Sequence, residues 1–380
     1  MNTLLCPDCG SSSVTNHTGV SLLCGECGEE NWISHEDCLA PAENGDVVAQ
    51  CILGGHYLGE NEIPADYERA MQWFTKALKK DYAPAYRHLG YMYERGYGVE
   101  KDMDKAVEYW KAGADKEDTY CIYNTGIMYL TYYEKDSAAI PYLLRAAEKE
   151  LTEARTQLAM CYYHGRGVEK DHHQAFHWAK LAAEDGSPRA QLYMGFLYED
   201  GRVMERNMAE AIEWFTRAAD GGNAAAMERM AYYCLTGEFI EEDTERGMEL
   251  RMAAAERGDW DAQCNLGWNY EAGNAVPQDL EAALYWYATS AENGLPWGMY
   301  QTGRCYTEGI GTGKDLYQAE HWLSAAVEHG CEEAQSLLDE VAEQLAKQEE
   351  KEREEEKLDD SVQTAGKTLK VVKFIKDLFS

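Results

Sequence analysis

The sequence predicts an all-α protein of stacked helix pairs, with a small β unit at its N-terminus. Three observations carry that reading. A pattern recurs at a step of 36 residues over most of the chain; each copy holds two helix-period segments joined by a turn-rich loop; and two CxxC pairs sit close to the start. A fixed period of this length marks a repeat architecture, in which each unit buries its apolar face against its neighbours.

The bulk properties narrow the function classes. Apolar content is 45%, enough for a core, and the formal net charge is −33. Such an acidic surface repels nucleic acid and anionic membranes at long range. No apolar run approaches a membrane span, and the start MNTLLCPDCG lacks the basic and apolar regions of a secretory signal. Most of the remaining cysteines are scattered singly through the repeats, as buried free thiols would be in a reducing compartment, so a cytoplasmic location is expected.

The first segment, residues 1–36, carries Cys6-Pro-Asp-Cys9-Gly and Cys24-Gly-Glu-Cys27-Gly. Four thiolates suit a tetrahedral ion, and Gly10 and Gly28 supply the positive φ that a knuckle turn needs. Val14, Thr15, Val20 and Leu22 give the intervening stretch strand propensity, and Thr18-Gly19 marks a turn, so a hairpin is expected. So small a segment needs a metal to fold. The arrangement resembles a zinc ribbon, which implies one structural zinc on Cys6, Cys9, Cys24 and Cys27, with iron as the rival ion. His35 and Cys38 lie nearby as bystanders. Because the first basic residue of the chain is Arg69, the ribbon has nothing to neutralise phosphate, and protein contact is the better expectation. Residues 37–45 read as a Pro- and Gly-containing linker.

Residues 46–330 hold eight units. The first helix of each centres on a small residue: Gly54, Gly90, Gly126, Ala159, Gly195, Ala231, Gly267, Gly303. In most units a large apolar residue precedes it and Tyr follows three positions later, as in Leu89, Gly90 and Tyr93. The second helix keeps its own small position, from Ala70 and Ala106 through Ala319, and an aromatic usually follows three residues on, as at Trp73, Tyr109, Trp178, Trp214, Trp286 and Trp322. These rings are expected to fill the seams between units. Glycines such as Gly96, Gly165 and Gly309 are placed to end the first helix, and Asp66, Asp102, Asp171, Asp279 and Asp315 to cap the second. Together the small, aromatic and loop positions resemble the Sel-one-like repeat family, relatives of tetratricopeptide repeats. The resemblance implies a right-handed α-solenoid that binds proteins. Two units depart from it: the third lacks the Gly-x-Gly loop, and the sixth has Cys234 for Tyr and Leu250 for Trp.

Residues 331–360 read as a capping helix running into a charged stretch, and 361–380 as a basic amphipathic segment. In the latter, Val371, Phe374, Ile375 and Leu378 share one side of a helical wheel and form a docking surface for the protein's own groove, a partner or a membrane.

Tetratricopeptide-like stacks line their concave face with the first helices. The positions two before and one after the small residue would then form a groove, comprising His88, Tyr91, Asn124, Gln157, Tyr193, Phe196, Arg229, Tyr232, Asn265, Trp268, Gln301 and Arg304. Hydrogen-bonding residues alternate there with rings, a pairing suited to holding a polypeptide backbone and its side chains. Packing between repeats is the alternative for the rings. Enzyme signals are poor. Gly366-Lys367-Thr368 lacks the rest of a phosphate loop, and His173 and His177 occupy a position that is acidic in other units. Some Sel-one-like proteins resemble β-lactamases, but neither Ser-x-x-Lys nor Lys-Thr-Gly occurs here. The expected function is a protein scaffold, followed by a nucleic-acid-associated zinc-ribbon adaptor and then a hydrolase.

Overall fold

A computed structural model describes residues 4–7, 14–16, 21–24, 26–27, 29–59 and 63–378. It divides into two compact units, Met1–Arg206 and Asn207–Ser380. The first opens with three short antiparallel strands in the order β1 (Val14–Asn16), β2 (Ser21–Cys24), β3 (Glu30–Trp32), with Thr15 opposite Leu23 and Leu22 opposite Asn31. Helices α1 (His35–Glu43), α2 (Val47–Tyr57), α3 (Tyr67–Leu78), α4 (Ala83–Arg95), α5 (Met103–Ala114), α6 (Thr119–Thr131), α7 (Asp136–Glu148), α8 (Thr152–His164), α9 (His172–Glu184) and α10 (Pro188–Asp200) follow. The second unit contains α11 (Met208–Asp220), α12 (Ala224–Thr236), α13 (Thr244–Glu256), α14 (Trp260–Ala272), α15 (Leu280–Glu292), α16 (Pro296–Glu308), α17 (Leu316–Glu328) and the long α18 (Ala334–Leu378). The chain is therefore an all-α array of stacked helix pairs behind a small sheet.

The helix boundaries have local causes. Carboxylates of Asp66, Asp102, Asp171, Asp279 and Asp315 accept backbone N–H groups two or three residues ahead, as the sequence leads one to expect. Gly96, Gly165 and Gly309 end α4, α8 and α16 at φ of 73°, 75° and 80°, a conformation that penalises any side chain. The third unit lacks those signals but is still a helix pair, α6 and α7, with Glu134 taking the positive φ at 50°.

Two expectations change. Residues 37–45 are mostly helical rather than a linker: Ser34 caps α1, and Pro41 is accommodated close to its C-terminal end. The aromatics three residues after the small position of the second helix, including Trp73, Tyr109 and Trp178, are only half-buried. The fully buried column lies one residue further on, at Phe74, Trp110, Leu143, Ala179, Phe215, Tyr287 and Leu323. These side chains pack straight onto the small residue of the paired helix: Phe74 faces Gly54, Trp110 faces Gly90 and Tyr287 faces Gly267.

Candidate metal centre and partner-binding surface

Strand β2 ends at Cys24 and the following turn carries Cys27, while Cys6 lies on the segment before β1. Their three Sγ atoms all fall within 4.8 Å of one another, and Cys6 and Cys27 are 3.7 Å apart. A tetrahedral ion with metal–sulfur bonds of ~2.3 Å would set its sulfurs roughly 3.8 Å apart, so the spacing fits a thiolate-bound metal. The Glu26 backbone N–H points at Cys24 Sγ at 3.4 Å, a contact that favours thiolate. Cys9 and Gly10 lie outside the described residues, as does Gly28. Cys38 stays apart from the cluster. Burial first, and then Asp37 and Asp46, push its thiol up to about 12. His35 is taken up by the Tyr57 hydroxyl at 3.1 Å.

The cluster is built onto the first repeat. Cys6, Cys24 and Leu4 share one core with Val48, Ala49 and Ile52 of α2. The Leu4 N–H donates to Asp46 Oδ2 at 2.9 Å, and the His56 ring meets the Ile33 carbonyl at 2.9 Å. Burial holds the His56 pKa below its ordinary value.

The residues expected to line a groove divide by environment. In the first unit His88 is a correction: it is buried at 6% exposure, its ring stacked 4.6 Å from Phe74. Arg87 Nη2 approaches His88 Nε2 at 3.4 Å, and since a guanidinium only donates, this nitrogen is the unprotonated one. Tyr193 is buried as well, its hydroxyl 3.1 Å from His164 Nε2. Tyr91, Asn124, Gln157 and Phe196 are half-buried. Gln157 is distinctive, because its Oε1 is shielded from solvent and has no hydrogen-bond partner. It opens into a pocket of about 490 Å³ between α6, α8 and the turn into α10.

That pocket is polar and partly prearranged. Thr156 and Ser187 exchange a hydrogen bond of 3.0 Å on one wall, and Asp185 is neutralised by Arg155 at 2.8 Å. Tyr123 and the exposed Arg189 complete it. Burial, then Glu153, raises the Tyr123 pKa, so the phenol is a hydrogen-bond donor. Sequence reasoning missed Tyr123 and Arg189. Arg189 lies four residues before Tyr193 on α10, a helical spacing that could have suggested it, whereas Tyr123, next to Asn124 on α6, points to a different side and carried no such signal.

In the second unit Tyr232 and Trp268 are exposed, at 40% and 52%. Asn265 donates to Glu228 at 2.9 Å, and Arg304 Nη2 donates to both carboxylate oxygens of Glu271 at 2.6 and 2.8 Å while Nε reaches Gln301. Arg229 lies over the Tyr233 ring at 5.6 Å. The side chains of Val371, Phe374, Ile375 and Leu378 lie outside those described. His173 and His177 are exposed. No helix among the described residues is long and apolar enough to cross a membrane.

Comparison with known proteins agrees with the architecture. The Sel1 repeat model matches residues 47–82, 83–118, 152–187, 188–223, 224–259, 260–295 and 298–331, leaving out the third pair. A solved structure of c5321, a protective antigen of uropathogenic Escherichia coli with an SLR fold, is 31% identical with a TM-score of 0.57, covering 82% of this chain and 68% of that one. The HRD3B component of an ERAD-associated E3 ubiquitin-protein ligase from Arabidopsis thaliana is 38% identical over 91 residues, 23% of this chain. The chitin synthase regulator SKT5 of Saccharomyces cerevisiae is 29% identical over 130 residues, 33% of this chain. The chain spans only 14% and 19% of those two proteins' lengths.

Proposed function

Because this chain belongs to the Sel1 repeat family, we propose that it is a non-catalytic scaffold that holds an extended polypeptide against the first helices of its repeats. The carrying observation is the Gln157 pocket. A buried carbonyl oxygen without a donor is costly, and the N–H of an incoming main chain would satisfy it. Arg189 and the Tyr123 hydroxyl stand on the same pocket as donors for that chain's carbonyl groups. Two relatives are named as a ligase component and as a synthase regulator, names that fit a supporting rather than a catalytic part.

The cysteine cluster has a structural part in this scheme. Cys6, Cys24 and Cys27, with Cys9 as the fourth ligand from sequence, would hold one zinc ion. A site closed by four sulfurs offers no position for substrate, so the ion would tie the sheet to α2 and close the N-terminal end of the array.

Selection of peptides from a displayed random library on the immobilised full-length protein tests the scaffold reading. Enriched peptides should lose at least tenfold in affinity on Gln157→Lys or Arg189→Glu. Binders indifferent to both changes would move the site elsewhere, and no enrichment at all would overturn the reading.

A further inference from the structure

Helix α18 packs into its unit through Ala334, Val341 and Leu345, all buried beside α17. Every described side chain beyond Leu345, namely 346–357 and Ser361, is exposed, yet the backbone remains helical to Leu378. The described part beyond Leu345 is thus exposed, and the helix from 346 to 378 runs roughly 50 Å at ~1.5 Å per residue. A solitary helix in water draws little stability from propensity alone. Some ion pairs at helical spacing support it, such as Lys351 with Glu355 at 3.7 Å, but these are exposed and weak.

Two features of the residue order along this helix fit a second helix. Leu358, Val362, Ala365, Leu369 and Val372 recur at alternating steps of four and three, the spacing of a coiled-coil seam. Charge is divided lengthwise: the run EEKEREEEKLDD at 349–360 is strongly acidic, and Lys367, Lys370, Lys373 and Lys376 follow it. We propose that this stretch pairs antiparallel with the same stretch of a second copy, crossing between 363 and 364. Leu358 would then stand level with Leu369 of the partner subunit, and Val362 with Ala365 of the partner subunit. The acidic half of each helix lies along the lysines of the other. Parallel pairing would set acid beside acid and lysine beside lysine, so electrostatics selects the antiparallel arrangement. Such a contact is two-fold and self-complementary, and it closes at two copies. Its consequence is a bivalent scaffold, in which two arrays joined through one rod can hold two sites of a partner at once. The pairing itself does not depend on the pocket or the metal.

Sedimentation equilibrium of the full-length chain at micromolar concentration should give the mass of two chains, falling toward one as salt rises. The double variant Val362→Glu/Leu369→Glu should return it to the mass of one chain while the thermal melt of the repeats is unchanged. A photo-crosslinking residue in place of Val372 should label the region around Glu355 in the other copy. A wild-type chain that sediments as one copy overturns the proposal, and if it instead binds phosphatidylserine vesicles the rod belongs to a membrane surface. A dimer that survives the double variant, or crosslinks joining 372 to 372, overturns it equally.

Discussion

Replacing Gly90 by alanine puts a methyl group where the Trp110 ring already lies. A Cβ built at that position falls 2.3 Å from Trp110 Nε1 and 2.6 Å from Cδ1, far inside a normal contact of ~3.5–4.0 Å. Trp110 is 2% exposed and its Nε1–H donates to the Arg87 carbonyl at 3.1 Å, so the ring cannot shift without giving up that bond. Overpacking costs about 1–3 kcal/mol, and stranding a buried donor about the same again. The gain from replacing glycine within a helix is only about 1 kcal/mol. Balancing these terms, Gly90→Ala should destabilise the second pair by about 3 kcal/mol. Gly126→Ala is the control: its Cβ would meet the Leu143 side chain at 3.1 Å and Tyr142 Cβ at 3.3 Å, contacts that a shift of a few tenths of an ångström relieves, so the change should be close to neutral. Repeat arrays open locally, so the assay is hydrogen exchange read by mass spectrometry on α4 and α5 in the full-length protein. Protection there should fall on the order of a hundredfold for Gly90→Ala, and Trp110→Leu in the same chain should restore part of it. Unchanged or increased protection in Gly90→Ala would refute the close-approach reasoning for the repeat's small position.

Other perturbations give equally definite outcomes. Burial first, and then Arg87, hold the His88 pKa well below its ordinary value, so the folded state keeps the ring neutral. The unfolded chain takes up a proton below about pH 6.5 that the fold refuses; stability is therefore full above that pH and falls by up to about 1.4 kcal/mol per unit below it. His88→Phe should flatten that slope in urea melts followed between pH 7 and pH 5. Metal analysis of the purified protein should find one zinc per chain, absent from Cys24→Ser. Chelation should raise hydrogen exchange in Leu4–Leu58 and leave α8–α10 unaffected, because the cluster shares its core with α2. Arg251→Leu, which leaves the Glu228 carboxylate buried without its countercharge, should cost about 3–5 kcal/mol in a thermal or urea melt. Adding Glu228→Leu should recover much of that loss.

Most of the helix-pair plan was legible because its signals are local. An Asp at an N-cap or a glycine at φ near 75° acts within one turn, and sequence spacing reports it directly. Packing was less legible. Positions three and four after Ala106 point to the same side of α5, so periodicity cannot say whether Tyr109 or Trp110 enters the core; the absence of a Cβ at Gly90 decides for Trp110. His88 was misplaced for a related reason, since its row faces outward only where the neighbouring column leaves it room. Phe74 of the preceding pair stacks on it at 4.6 Å. The cysteine cluster was visible through cysteine spacing alone, whereas the Gln157 pocket was not: Tyr123, Gln157 and Arg189 come from three different helices and meet only after they stack.

The sixth repeat shows how a departure in sequence is compensated in three dimensions. The buried column that holds Phe74, Trp110, Leu143 and Tyr287 holds Arg251 in that repeat. A lone guanidinium in such a position would be intolerable. Glu228 on α12 takes it in bidentate contact, with Nε–Oε2 at 3.0 Å and Nη2–Oε1 at 2.7 Å, and Asn269 on α14 accepts from Nη1 at 2.7 Å. Asn265 donates to the same carboxylate, and Asn269 passes its own N–H on to the Asn274 carbonyl. Each nitrogen of the arginine thus finds a partner on the helices around it, while Leu250 and Cys234, which stand where other repeats have aromatics, are both buried. An ion pair of this kind adds little net stability over an apolar core, but it is far more sensitive to misalignment than leucine against glycine. Three helices must meet in one register before it closes. Tyr232 of this repeat and Trp268 of the next both stay exposed, so the added polar network does not draw either ring inward.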